Sequence, residues 1–241
     1  GIQRALWDFR YAPPIVQAAP QLPPGVDPAA LGGGGGGGGF GPQGELAMPG
    51  KYTVTMAKRV GNVITPLPGT QTFNVVAEGT EKMTPQDRTI LADFQRKVIK
   101  LQRAIAGATD AATTAKTKLG LIKRAAQEAP GSSQTLLSEV NAIDDKADEV
   151  LGALRGGRDL TDSPPPSINQ RVNSVSQRIR MSALRPTQTQ QDQYAIAADD
   201  FKAAMARLKT LLEVDLPKLE KGLEGAGAPW SAGRLPVWPD K

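Results

Sequence analysis

The chain has 241 residues, a net charge of +5, and neither cysteine nor histidine. Those two absences exclude disulfides, thiolate catalysis, cysteine-ligated zinc and every imidazole base or ligand. Any catalysis would fall to carboxylates, Lys, Tyr or hydroxyl groups, and no apolar run reaches the roughly 18 residues of a membrane span.

The first predicted element is a strand. Trp7, Phe9 and Tyr11 alternate with Asp8 and Arg10, which is a period of two with one aromatic face. A long Pro/Gly-rich loop follows over residues 12–50, with eight consecutive glycines from Gly32 to Gly39. Such a segment buries too little apolar surface to offset its ordering entropy. It reads as a flexible spacer. A phosphate-cradling loop would need a helix start after it, and Pro42 and another strand follow instead.

Tyr52, Val54 and Met56 then alternate with Thr53 and Thr55. Gly61-Asn62 signals a turn, Val63 and Ile64 begin a return strand, and Phe73, Val75 and Ala77 mark a further one. About four strands over residues 1–83 predict a partial antiparallel β-sandwich of the immunoglobulin or fibronectin type, with open edges.

From Thr84 the period changes. Thr84, Pro85 and Asp87 form a helix start: an N-cap, a proline at the first helical position, and an acid near the positive end of the dipole. The apolar positions Leu91, Phe94, Val98, Leu101, Ile105, Ala108, Ala112, Ala115, Leu119, Ile122 and Ala126 step by three and four. They predict one helix of about 44 residues, roughly 66 Å long, with close helix–helix approach along its alanines. A second seam runs Leu136, Val140, Ile143, Ala147, Val150, Leu154, and a third runs Ile168, Val172, Val175, Ile179, Ser182 before Pro186. The last runs Tyr194, Ala197, Phe201, Ala204, Leu208, Leu211, then slips in phase to Leu212, Leu216, Leu219, Leu223, with Pro217 at the slip as a kink. The two middle helices together match the outer ones in length. Residues 84–225 therefore read as an elongated antiparallel three-helix bundle with an interrupted middle helix. Residues 226–241 read as an extended tail in which Trp230 and Trp238 could anchor. The fold class is α+β.

Charge alternates along these segments. Residues 84–129 carry a net +5, residues 130–166 a net −4, and residues 167–186 a net +4. This is the pattern of helices that neutralise one another, not of a nucleic-acid face. The acidic cluster Asp144, Asp145, Asp148, Glu149 and the pair Asp199, Asp200 lie off the seams, so they read as solvated faces and not as metal or acid–base sites. Arg171, Arg178, Arg180 and Arg185 could grip phosphate or an acidic membrane surface, but pairing with the acidic helix residues, or plain solvation, is the simpler reading. The aromatics Trp7, Phe9 and Tyr11 read as a strand's core face and not as a sugar- or base-stacking platform. No catalytic, cofactor-binding or metal-binding residue is assigned, and no cofactor is expected.

The motifs LWDFRY, PGKYTVTM, FNVV and TPQDRTILADFQRKVIKLQRAI occur here in that order, followed by SINQRVNSVSQRI and RPTQTQQDQYAIAADDFKAAMARLKTLLEVDLPKLEKGL. Together, from Ile2 to about Leu223, they resemble the C-terminal end of large bacterial exported β-propeller proteins described as sortilin-like or glycosyl-hydrolase-like, with sialidase-type repeats. The glycine run departs from that pattern. The resemblance implies an exported setting, periplasmic or extracellular and peripheral to a membrane, a fibronectin-like module and a helical tail. It also implies that the strand at Ile2 was continuous with a larger polypeptide. No propeller repeat is present, so no propeller site carries over. The expected function is that of a non-enzymatic structural or interaction subunit of the cell envelope. Its partners would be proteins, such as the periplasmic face of a membrane complex. An accessory domain of a carbohydrate-active propeller protein is the second reading.

Overall fold

The computed structural model describes residues 6–15, 44–77, 83–157, 165–180, 182 and 184–234. The glycine run and Trp238 lie outside them. The elements are β1 (Gly50–Val60), β2 (Val63–Val75), α1 (Pro85–Glu128), α2 (Gln134–Arg155), α3 (Ile168–Arg180), α4 (Gln188–Thr210) and α5 (Leu216–Gly225), with a π-helical turn, Leu211–Asp215, between the last two. The chain is thus mixed α and β. It divides into two compact units: Gly1–Ile99 with Ile179–Pro186, and Lys100–Arg178 with Thr187–Lys241.

In the first unit, β1 and β2 pair antiparallel as a two-stranded ribbon. Four expected strands reduce to these two among the described residues, for two physical reasons. Val63 and Ile64 were expected in one strand and Phe73, Val75 and Ala77 in another; all but Ala77, which falls beyond the end, lie in a single strand that passes through an irregularity at Pro68-Gly69, where the register shifts between Val54 and Met56. Gly69 takes φ +104, which only glycine adopts without strain. The aromatic stretch at Trp7–Tyr11 forms only an isolated bridge, Arg10 to Leu46. Phe9 has φ +58, so its alternation does not come from extended backbone. Around that bridge the backbones touch: Tyr11 donates to the Glu45 carbonyl at 2.9 Å, and Ala47 to that of Phe9 at 2.7 Å. A Cβ on Gly44 would lie 1.8 Å from the Tyr11 carbonyl oxygen, so no other residue fits there.

The helices begin where the capping residues stand. The Thr84 hydroxyl accepts from the Asp87 amide at 3.1 Å and donates to its carboxylate at 2.8 Å. The Ser133 hydroxyl caps α2, and Thr187 with Gln190 forms a reciprocal capping box on α4. In α1 the seam from Phe94 to Ala126 is buried throughout, and all six expected positions of α2 are buried. In α3, Ile168, Val172, Val175 and Ile179 are buried, but the helix stops at Arg180, so Ser182 falls beyond it.

The last rod corrects the expected phase. Leu211 is buried as expected, but Leu212, where the slipped run was to begin, is 36% exposed and outside the core. The buried run is Leu208, Leu211, Leu216, Leu219, Leu223. Its single five-residue step spans the π-turn, where the Leu216 amide bonds back to the Leu211 carbonyl. Pro217, which has no amide hydrogen to continue an i to i−4 ladder, follows directly. The backbones of the second unit come closest between α2 and the α4–α5 rod rather than along the alanines of α1. Alanine permits close approach but does not compel it. At the α2–α5 contact Gly222 leaves room for Leu136, whose Cδ1 would lie 3.3 Å from a Cβ added there.

Candidate functional site

Part of the acidic and basic clusters is taken up in helix-to-helix pairings. In the second unit, the ammonium group of Lys116 on α1 sits 2.6 Å from Asp144 and 2.7 Å from Asp148 on α2. Burial alone would lower the Lys116 pKa; the hydrogen bonds and charges of the two carboxylates outweigh it and raise the pKa overall. Lys118 pairs with Glu220, Lys218 with Glu139 at 3.1 Å, and Lys146 with Asp215 at 3.0 Å. Asp199 pairs with Lys202 at 2.9 Å. Asp144 and Asp148 are thus joined to α1 through Lys116. Among the described residues no group of three or more acidic side chains is placed to hold a metal ion.

The arginines are likewise separate. Arg171 donates to Gln193 at 2.9 Å, Arg185 pairs with Asp87 at 3.2 Å, and Arg178 is exposed. Trp230 is exposed, but its indole donates to the Arg234 carbonyl at 3.0 Å. Arg234, itself buried, bonds the Pro229 carbonyl at 3.0 Å and pairs with Glu224.

What remains is the ribbon. Its turn has Gly61 at φ +59 followed by Asn62 without a positive φ, the type II′ pattern that suits the twist of a hairpin. The register pairs Tyr52 with Phe73, Val54 with Gln71, Met56 with Leu67, Lys58 with Thr65, and Val60 with Val63. Side chains alternate along a strand, and the register shift is even, so these five pairs share one face. The opposite face carries Lys51, Thr53, Thr72, Arg59 and Asn74, with Ala57, Ile64 and Pro66.

One end of the apolar face is partly covered by an aromatic cluster, although Phe73 stays 38% exposed. Trp7 lies 5.5 Å from Tyr52 and 6.0 Å from Phe73, which stack on each other at 6.0 Å. The indole of Trp7 is held by a 2.7 Å bond to the Arg10 carbonyl. The Tyr52 hydroxyl donates to Met48 at 2.8 Å, and its pairing with the Tyr11 hydroxyl pushes the Tyr52 pKa up. Beyond this cluster Val54, Met56, Leu67, Val60 and Val63 are all exposed, the last two by 63% and 66%. An antiparallel sheet normally buries its apolar face, and an isolated hairpin is marginal in water. The alternation at Tyr52, Val54 and Met56 was visible in the sequence. Leu67 and Val60 escaped, and Val63 was read only as the start of a return strand, although counting outward from Gly61-Asn62 in both directions would have placed all three on this face.

Glu45 is the other unusual group. One of its carboxylate oxygens is buried without a hydrogen-bond partner. Burial raises its pKa; Arg96 counteracts this and Asp93 adds to it. A carboxyl whose folded pKa is raised costs stability once it ionises. That cost is absent below the unfolded pKa of roughly 4.3 and is complete above the raised folded value. Glu45→Gln is therefore expected to unfold at higher urea than the parent at pH 7. The difference should vanish near pH 4, and an equal gain at both pH values would show that ionisation is not the cause.

No protein-family model matches the chain, and no curated protein or solved structure is similar to it at a meaningful level.

Proposed function

We propose that the chain is a non-catalytic bracing and docking module whose apolar ribbon face binds a protein partner. The exposed stripe Val54, Met56, Leu67, Val60, Val63 carries this reading. A contiguous exposed apolar patch beside polar residues marks an interaction site, and a protein partner would cover the face that a second sheet normally covers. The helical unit serves as the stiff part, a bundle of three rods in which α2 and α3 together form the interrupted one. The pairings of α1 with α2, α1 with α5, and α2 with α5 support that arrangement. No helix of the described residues is long and apolar enough to cross a membrane. Placement in the bacterial envelope rests on the sequence resemblance.

The test is a triple variant, Val54→Thr, Met56→Thr, Val63→Thr. Threonine keeps the strand preference and removes the apolar surface. Affinity purification from the native membrane fraction should recover a stoichiometric partner with the parent chain. It should recover at least tenfold less with the variant, whose thermal midpoint stays within a few degrees of the parent's. Equal recovery with both chains would refute the reading.

A further inference from the structure

Resting on that reading, we infer that the partner is a different protein presenting an apolar surface bordered by carboxylates, and that it covers the ribbon's face instead of adding a strand to its edge.

The charge of the ribbon is one-signed. Gly50–Val75 carries Lys51, Lys58 and Arg59 and no acidic residue. Lys58 lies on the apolar face itself, between the pairs Met56–Leu67 and Val60–Val63. Its aliphatic stem can lie along that surface while the ammonium group seeks an anion. Neither Lys51 nor Lys58 has an ion-pair partner among the described residues. A covering surface without carboxylates would leave Lys58 desolvated and unpaired, at a cost that disfavours binding.

A second copy fits poorly. Two ribbons stacked face to face would bring together cations of the same sign. The ribbon's 11-residue strand offers a face of roughly 36 Å by 10 Å, so stacking two buries about 700 Å². A stable interface needs roughly 1,200 Å² or more. A larger, differently charged surface meets both requirements.

The edges are guarded. In a II′ hairpin Val60 and Val63 form the hydrogen-bonded pair, and bonded and open pairs then alternate. Pro66, opposite Ala57, falls in an open pair, so the free edge of β2 lacks a donor there. Pro68 follows two residues later, and β1 carries all three cations. Prolines and lysines on edge strands resist the addition of further strands. The apolar face carries one cation, Lys58, and no proline.

The experiment places the photo-crosslinker p-benzoylphenylalanine at Met56, at Val63, or at Thr53 on the opposite face, in the full chain expressed in its native cells. Circular dichroism first confirms that each labelled chain is folded. The expected result is a crosslink from positions 56 and 63 to one protein, at a segment that mass spectrometry shows to combine apolar residues with Asp or Glu. Position 53 should give at least tenfold less. Lys58→Glu should cut the yield from position 56 at least tenfold at 0.1 M salt. Equal yields from positions 53 and 56 would overturn the face-on geometry. Crosslinks within a dimer of the chain, or a labelled chain that floats with vesicles of 30% phosphatidylglycerol and gives no protein adduct, would overturn the choice of partner. A face-specific adduct indifferent to Lys58→Glu would sink the acidic border and leave the docking face intact. No adduct from any position would sink the docking reading as well.

Discussion

Leu211→Ala is expected to lower the unfolding free energy by about 2–5 kcal/mol, whereas Leu212→Ala should cost about 1 kcal/mol or less. The two leucines are adjacent and chemically identical. Leu211 is 1% exposed and Leu212 36% exposed, so the first substitution leaves an enclosed cavity and the second trims a side chain that borders water, where solvent can fill the gap. Helix propensity cannot explain the difference, because Leu and Ala are both strong helix formers and the change is the same at each site. The contrast tests the π-turn directly. If the rod were α-helical throughout, a five-residue step between Leu211 and Leu216 would place those two leucines on different faces, and Leu212 would take the buried role. Urea unfolding followed by the helical circular dichroism signal measures both variants. A larger loss for Leu212→Ala would overturn the turn's placement.

Ala147→Leu should destabilise the helical unit by about 1–3 kcal/mol, although it adds apolar surface. Ala147 is fully buried on α2, the helix that comes closest to α4 and α5. Three added carbons have no space unless the helices move apart, and moving them loosens the packing of Val140, Ile143 and Leu151 on the same helix. Ala203→Leu is the matched control. Its site on α4 is exposed, so the same substitution should change stability by no more than about 0.5 kcal/mol. Similar effects at the two sites would mean that α2 and α4 do not approach closely at Ala147.

The helices were legible in the sequence because their signals are local and redundant. Thr84, Ser133 and Thr187 each stand where a helix starts, and the three-four spacing from Phe94 to Ala126 continues through more than four heptads. The failures share one cause, a backbone event that spacing does not record. At Leu211–Asp215 a wide turn absorbs one extra residue, and from spacing alone that is indistinguishable from a seam that slips by one. At Pro68-Gly69 the turn chemistry suggested a break, but cross-strand pairing resumes on the same face. At Phe9 a left-handed backbone produces aromatic alternation without a strand.

The proposed docking face was half legible for a different reason. Tyr52, Val54 and Met56 alternate as they would in any strand with one buried face. Alternation reports which side is apolar and not whether anything lies against it. The exposure of that side follows only from the distribution of neighbours: Trp7, itself against Phe9, reaches the Tyr52–Phe73 end, and the rest stays exposed among the described residues.

The π-turn also bears on how this rod tolerates changes of length. Deleting one residue between Leu211 and Leu216 would shorten the five-residue interval to four, an ordinary helical spacing, and leave the leucines before and after it facing the same way. Elsewhere in the rod a one-residue deletion rotates everything downstream by about 100° and swings the apolar side into solvent. The rod therefore has one joint at which a codon can be lost without scrambling the remainder, and natural length variants of the rod should cluster there.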